Sequence, residues 1–184
     1  MTAFVDELVR EHGDIRRVLR VLSRQLEELR NSREPDWDLL KDTMYYLTRY
    51  PDLFHHGSED VVFRQLHKRD DESRQFVRDL GREHGMLRDL GLDFLTLCED
   101  ATAGVSIPAA ELYSCGQRYL TAQQRHMRKE EETVFPRIRA RLTAEDWSAI
   151  QEDLDRMAAT SLGSASARET FRSLNTFLAS EARR

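Results

Sequence analysis

The sequence predicts an all-α protein, an up-down-up-down four-helix bundle with a C-terminal helical extension. Three observations carry that expectation. Apolar residues recur at helical spacing along nearly the whole chain. Charged residues make up 33% of the 184 positions, while only 8 are glycine and 4 are proline, a balance that favours helix over sheet and argues against disorder. The breaks in the apolar period are few and short, so long successive helices must lie antiparallel to their neighbours.

The first helix is read from the stripe Phe4, Leu8, Ile15, Leu19, Leu22, Leu26 and Leu29, with His12 inside the run. It ends over residues 31–35, because Pro35 cannot extend a helix and restricts the residue before it. A second helix is expected from Asp36 to about Lys68, kinked or broken near Pro51 and Gly57. A charged turn over 69–72 leads into a third, which passes through Phe76, Leu80, His84, Leu87, Gly91 and Leu95 to about Asp100. Gly104 and Pro108 punctuate a loop over 101–108. The fourth helix carries Leu112, Tyr119, His126 and Glu130, and Pro136 should bend or end it.

Residues 1–142 are thus expected to form the bundle and residues 143–184 a helical appendage. In the appendage Thr143 and Asp146 resemble a capping signal, and Trp147, Ile150, Leu154 and Met157 make an apolar face. Gly163 marks a break, and Phe171, Leu174, Phe177 and Leu178 form another short amphipathic helix. Its expected role is to cover the bundle or to mediate association, with a second copy or with a protein partner.

Composition excludes several classes of function. The net charge of −5 comes from interspersed signs, which gives no footprint for nucleic acid and no polybasic membrane patch. The N-terminus lacks the basic and apolar regions of a secretory signal. No stretch approaches the roughly 20 apolar residues of a membrane span. Cys98 and Cys115 are far apart and read as small buried hydrophobes. The expected compartment is the cytoplasm.

Two stretches of the chain copy each other. Arg10-Glu11-His12-Gly13 recurs as Arg82-Glu83-His84-Gly85, and the His55/Glu59 pair recurs as His126/Glu130. The offsets are 72 and 71 residues, and together the copies use four of the six histidines. Residues four apart lie on one helix face, so each His-x3-Glu presents an imidazole and a carboxylate to the same point. A duplicated hairpin whose halves face each other would therefore bring His12, His55, His84, His126, Glu59 and Glu130 into the bundle interior. Two metals could each take two histidines, with both glutamates bridging. Nitrogen and oxygen donors without thiolate suit iron ahead of manganese or zinc. Metal would also solve an energetic problem, because buried carboxylates are costly unless paired or coordinated.

Each residue taken alone has a plainer explanation, as a core histidine or a surface ion pair, and only the joint pattern favours ligands. His56 sits about 100° round the helix from His55 and reads as a lesser candidate, a further ligand or a proton donor. His67 has no counterpart and reads as surface. Asp60 and Glu131 are expected at the rim or in hydrogen bonds to ligands, and Tyr50 and Tyr119 in core packing, with reach to the centre as the lesser alternative. The Glu-x-x-His pattern of ferritin-like bundles is missing, as are zinc-protease, phosphate-loop and nucleophile-elbow motifs.

At these residues the chain resembles the hemerythrin-like family, the HHE cation-binding domain. The likeness covers roughly residues 1–142, and the run from Glu130 and Glu131 to Val134, Phe135 and Pro136 is especially typical. It implies a four-helix bundle around two iron ions with a bridging oxo or hydroxo group, held by His12, His55, Glu59, His84, His126 and Glu130. Oxygen-carrying members place a further histidine where this chain has Arg88, which implies a more open, oxygen-richer site here. The expected function is to bind or sense O2, NO or iron at a four-His, two-Glu centre. The alternative is a di-iron enzyme that decomposes peroxide or reduces NO. The expected partner is accordingly a small diatomic ligand or peroxide.

Overall fold

The chain folds into helices joined by short connections, and the computed structural model describes residues 2–160 and 165–182 of it. In order these are α1 (Thr2–Arg30), α2 (Trp37–Tyr50), a π-helical turn (Pro51–His55), α3 (His56–Arg69) and a 3-10 turn (Asp71–Ser73). There follow α4 (Arg74–Thr102), α5 (Ala109–Lys129), a second π-helical turn (Glu130–Val134), α6 (Phe135–Arg141), α7 (Ala144–Thr160) and α8 (Ala165–Glu181). No strand occurs among the described residues. The break expected at Gly163 lies outside them.

Four staves form the bundle: α1, α2 continued by α3, α4, and α5 continued by α6. Each packs on its neighbours, α1 on α2 and α5, and α4 on α2, α3 and α5. Stave ends have local causes. Asn31 donates its side chain to the Glu27 carbonyl at 2.7 Å, and Ser32 at φ 54° turns the backbone out of the helix. The Asp36 carboxylate caps α2 by accepting from Leu39 N at 3.0 Å, as N-cap residues do.

Both prolines within the staves stand at a π-helical turn, where the regular α-helix is interrupted: Pro51 opens the first and Pro136 follows the second. Pro51 has no N–H, so the Leu47 carbonyl loses its helical donor inside the bundle. The Tyr119 hydroxyl replaces it, donating to Leu47 O at 3.0 Å. The stave stays continuous because the chain widens into a π-helical turn, in which His56 N bonds to Pro51 O. Pro136 does not end the fourth stave. It falls in the first turn of α6, where a missing N–H is tolerated, and the stave runs on to Arg141.

The core has two apolar parts with a polar layer between them. One contains Ile15, Leu22, Leu26, Met44, Phe94, Leu112 and Tyr119; the other contains Leu8, Val62, Phe63, Leu66, Leu80, Phe135 and Ile138. Helix approach in the first depends on Gly116, whose added Cβ would lie 2.5 Å from Leu26 Cδ2 and 2.8 Å from Phe94 Cζ. Cys98 and Cys115 are free and buried there.

The C-terminal helices pack back onto the bundle, α7 on α3 and α8 on α1 and α2. Asp146 accepts from Thr143 N at 2.9 Å, capping α7, and also from Arg69 Nε at 2.8 Å. Phe171 of α8 sits among the rings of Tyr45, Tyr46, Tyr50 and Phe54. Ile150, Phe171 and Leu178 are buried, so much of the apolar surface of these helices is used within the chain. None of the described helices is long and apolar enough to cross a membrane.

Candidate metal centre

The polar layer collects the repeated residues. His12 comes from α1, His55 from the end of the first π-helical turn and Glu59 from the first turns of α3. His84 comes from α4, His126 from the last turn of α5, and Glu130 opens the second π-helical turn. These six residues are 0–6% exposed. Glu59 divides its oxygens: Oε1 lies 3.4 Å from His55 Nε2 and 3.7 Å from His12 Nε2, while Oε2 lies 3.6 Å from His84 Nε2. Glu130 does the same, with Oε2 at 3.3 Å from His12 Nε2 and Oε1 at 3.1 Å from His126 and 3.6 Å from His84. The layer therefore has a His12/His55 side and a His84/His126 side, with both carboxylates spanning the two.

None of these short separations is an aligned hydrogen bond. Every Nε2 and carboxylate oxygen just named is buried and without a hydrogen-bond partner. Among the described residues, the atoms that share this condition are only His56 Nε2 and Gln123 Nε2. Buried polar groups are ordinarily satisfied, and the effective penalty for a buried ion is several kcal/mol. A cluster left so incomplete on its inner side fits a cation. Donors about 2.1 Å from an ion and at right angles lie about 3 Å apart, close to the separations seen.

Electrostatics point the same way. Burial and Glu130 push the Glu59 carboxyl up, but His55 and His12 outweigh them and hold it below its ordinary range. Burial likewise opposes ionisation of Glu130, which His126, His12 and His84 hold well down. Burial lowers the His12 imidazole, yet Glu130, Glu131 and Glu59 carry it up to about 11. For His84, Asp60, Glu130 and Glu59 overcome burial and carry it up to about 10. Without a metal, protons supply the positive charge that the carboxylates require.

The outer ring nitrogens are all occupied. Nδ1 of His12 lies 2.8 Å from Glu131, His55 2.7 Å from Glu11, His84 3.1 Å from Asp60 and His126 3.2 Å from Glu83. Carboxylates at this position fix the ring and its tautomer, leaving Nε2 free to ligate. The pattern has a two-fold logic. The acid before each lone histidine (Glu11, Glu83) holds the histidine of its own hairpin's His-x3-Glu pair. The acid after each shared glutamate (Asp60, Glu131) holds the lone histidine of the other hairpin. Phe135 stacks on His12 at 5.4 Å and Phe63 on His84 at 6.2 Å. Phe63 follows its glutamate by four residues and Phe135 by five, and the second π-helical turn absorbs the extra one.

Other expectations fare unequally. Asp60 and Glu131 hydrogen-bond His84 and His12 of the cluster. Glu11 and Glu83 stand in the repeated tetrapeptide, where spacing alone gives a role only to the histidine beside them. Tyr119 is engaged with Leu47, and Tyr50 reaches the layer at one remove, donating to Glu11 at 3.0 Å. His67 lies outside the cluster. The donor atoms are buried between two apolar parts of the core. Arg88 is exposed, and beside His84 lies another ring instead. His56 is buried, stacked on His84 at 4.2 Å and 10°, and burial pushes its imidazole down to about 4 against the pull of Asp52. Ligand atoms of His56, Glu59, His84 and His126 lie within 4.8 Å of one another, as do those of His12, His55 and Glu59.

Residues 3–138 match a protein-family model described as the hemerythrin HHE cation binding domain. No match was found among curated proteins or among solved structures.

Proposed function

The chain belongs to the hemerythrin HHE cation-binding family, and from that premise we propose that it is a non-haem di-iron protein that binds or senses a small diatomic molecule. The observation that carries this is the pair of buried glutamates whose oxygens divide between two sets of unpartnered imidazole nitrogens. His12 and His55 would hold one iron and His84 and His126 the other, with Glu59 and Glu130 shared between them. Thiolate-free nitrogen and oxygen donors favour iron. A pair of irons would supply the one-electron chemistry and the ligand positions that side chains lack.

The protein's own part is positional. Glu11, Asp60, Glu83 and Glu131 hold the imidazoles in the tautomer that turns Nε2 inward. Burial of the layer between apolar clusters restricts entry to small molecules, which supports O2 or NO over larger substrates. Tyr50 and Glu11 connect His55 toward a cavity of about 610 Å³ lined by Glu7, Asp14, Arg17 and Asn175, a polar path by which a proton can move.

The test is anaerobic reconstitution with ferrous iron, followed by separate exposure to O2, NO and peroxide with optical monitoring. Uptake of two iron equivalents and a stoichiometric spectral change with O2 or NO is the expected result. Rapid turnover of peroxide or NO would make the protein an enzyme instead. Failure to retain iron in competition with zinc would overturn the di-iron reading.

A further inference from the structure

The correspondence between the two hairpins breaks at one point beside the centre. Adding the 71-residue offset to Asp52 and His56 gives Gln123 and Met127. One hairpin thus carries an acid and an imidazole one turn apart, where the other carries an amide and a thioether. Met127 is buried with the apolar core, and a soft thioether is a poor donor for an oxygen-rich site.

His56 shares two properties with the four repeated histidines, an outer nitrogen held by a carboxylate and a buried inner nitrogen without a partner. Its Nδ1 lies 3.2 Å from the Asp52 carboxylate, and its Nε2 is buried with no partner. That nitrogen faces the same space, since the His56 ring stacks on His84 and stands edge-on to His126 at 5.8 Å. Its being adjacent to His55 in sequence is no obstacle. Neighbouring helical residues diverge by about 100°, so the two rings straddle the inward direction of the stave. His55 turns toward His12, with ring centroids 4.8 Å apart, and His56 turns toward His84. A histidine serving only to fill the core would be expected to satisfy both ring nitrogens.

We propose that His56 is a fifth imidazole ligand, bound to the metal that His84 and His126 hold. The two metal positions are then unequal, with three imidazoles on one and two on the other. Asp52 is the positioning residue that orients His56, as Glu83 orients His126. The inference rests on the two-metal reading above and refines its ligand set.

The test uses the full chain and its His56→Leu, His56→Ala and Asp52→Asn variants, titrated anaerobically with ferrous iron, with helix content followed by circular dichroism. Wild type should take up two equivalents and show two distinct iron environments by Mössbauer spectroscopy. The His56 variants should keep one equivalent at wild-type affinity and bind the other more than about a hundredfold more weakly. Asp52→Asn should weaken the same equivalent by roughly tenfold, the scale of a lost outer partner. Added imidazole should restore the spectrum of His56→Ala. Folded His56 variants that bind both equivalents with unchanged affinity and spectrum overturn the assignment and leave the two-metal reading standing. If those variants do not fold, an unchanged titration of Asp52→Asn overturns it. Wild type that binds fewer than two equivalents overturns both.

Discussion

The first helical hairpin and the second build matching halves of the centre, yet they do not build it identically. Both supply a lone histidine, an acid before it, a His-x3-Glu pair, an acid after that, and a phenylalanine that stacks on the lone histidine of the opposite hairpin. They differ where Asp52 and His56 face Gln123 and Met127, and in where each π-helical turn falls. In the first hairpin the wide turn precedes Glu59 and ends on His55; in the second it begins on Glu130. The lesson is that a duplicated pattern makes a symmetric cage, and a few departures suffice to make its two positions chemically distinct. Repetition supplies the two shared carboxylates; divergence sets Asp52 and His56 against Gln123 and Met127.

The shared carboxylates provide the strongest way to break that comparison. Glu59→Ala and Glu130→Ala should each abolish tight binding of both metals, because each glutamate places one oxygen on either side. Metal analysis after reconstitution would reveal this, and a variant that keeps one equivalent tightly bound would show that its glutamate serves a single position. Substituting the lone histidines should act on one side only. His12→Ala and His84→Ala should each weaken one equivalent far more than the other, and the affected equivalents should differ between the two variants.

Protons sharpen the comparison next. Metal-free His12 and His84 are held up to about 11 and about 10, so both carry a proton at neutral pH that a metal must displace. Against burial, Glu130 and Glu83 raise His126 as well, so binding near pH 7 should release at least two protons, and affinity should fall as pH is lowered. Calorimetry in buffers of different ionisation enthalpy would count them, and no release would mean that the metal-free cluster is already neutral. The stability sign follows from linkage. Raised imidazole pKa values stabilise the metal-free fold fully below about 6.5, and that contribution is lost as pH rises through 10–11.

Smaller effects are expected from the outer carboxylates. Glu11→Gln and Glu83→Gln should each weaken metal binding by about 10–100-fold, on opposite sides of the centre, because each releases a different histidine. The smallest effect belongs to Tyr50→Phe. It removes one hydrogen bond to Glu11, costing about 0.5–1.5 kcal/mol of stability with metal stoichiometry unchanged. His67→Ala should likewise leave stoichiometry intact, and a loss of metal there would contradict the ligand set.

Much of this centre is legible in the amino-acid sequence. The four staves follow from apolar spacing, and His12, His55, Glu59, His84, His126 and Glu130 follow from the repeat. Glu11 and Glu83 are equally visible in the repeated tetrapeptide, and only their role needs the fold. His56 is harder to read, since facing one point from adjacent positions depends on which way the stave turns. The π-helical turns leave a trace in the unequal spacing from Glu59 to Phe63 and from Glu130 to Phe135. Spacing does not reveal that a widened turn absorbs the difference.

What the sequence by itself determined is which side chains share a helix face, because the 3.6-residue period is a local property of the backbone. That was enough for the fold class and for a cluster of six donors. Tertiary structure alone decided which oxygen meets which nitrogen, that Asp60 and Glu131 reach across hairpins, and how deeply the donor atoms are buried. Those outcomes depend on the rotation and depth of each stave. Close contacts such as Gly116 against Leu26 and Phe94 help set both, and the partners in such contacts come from distant parts of the chain.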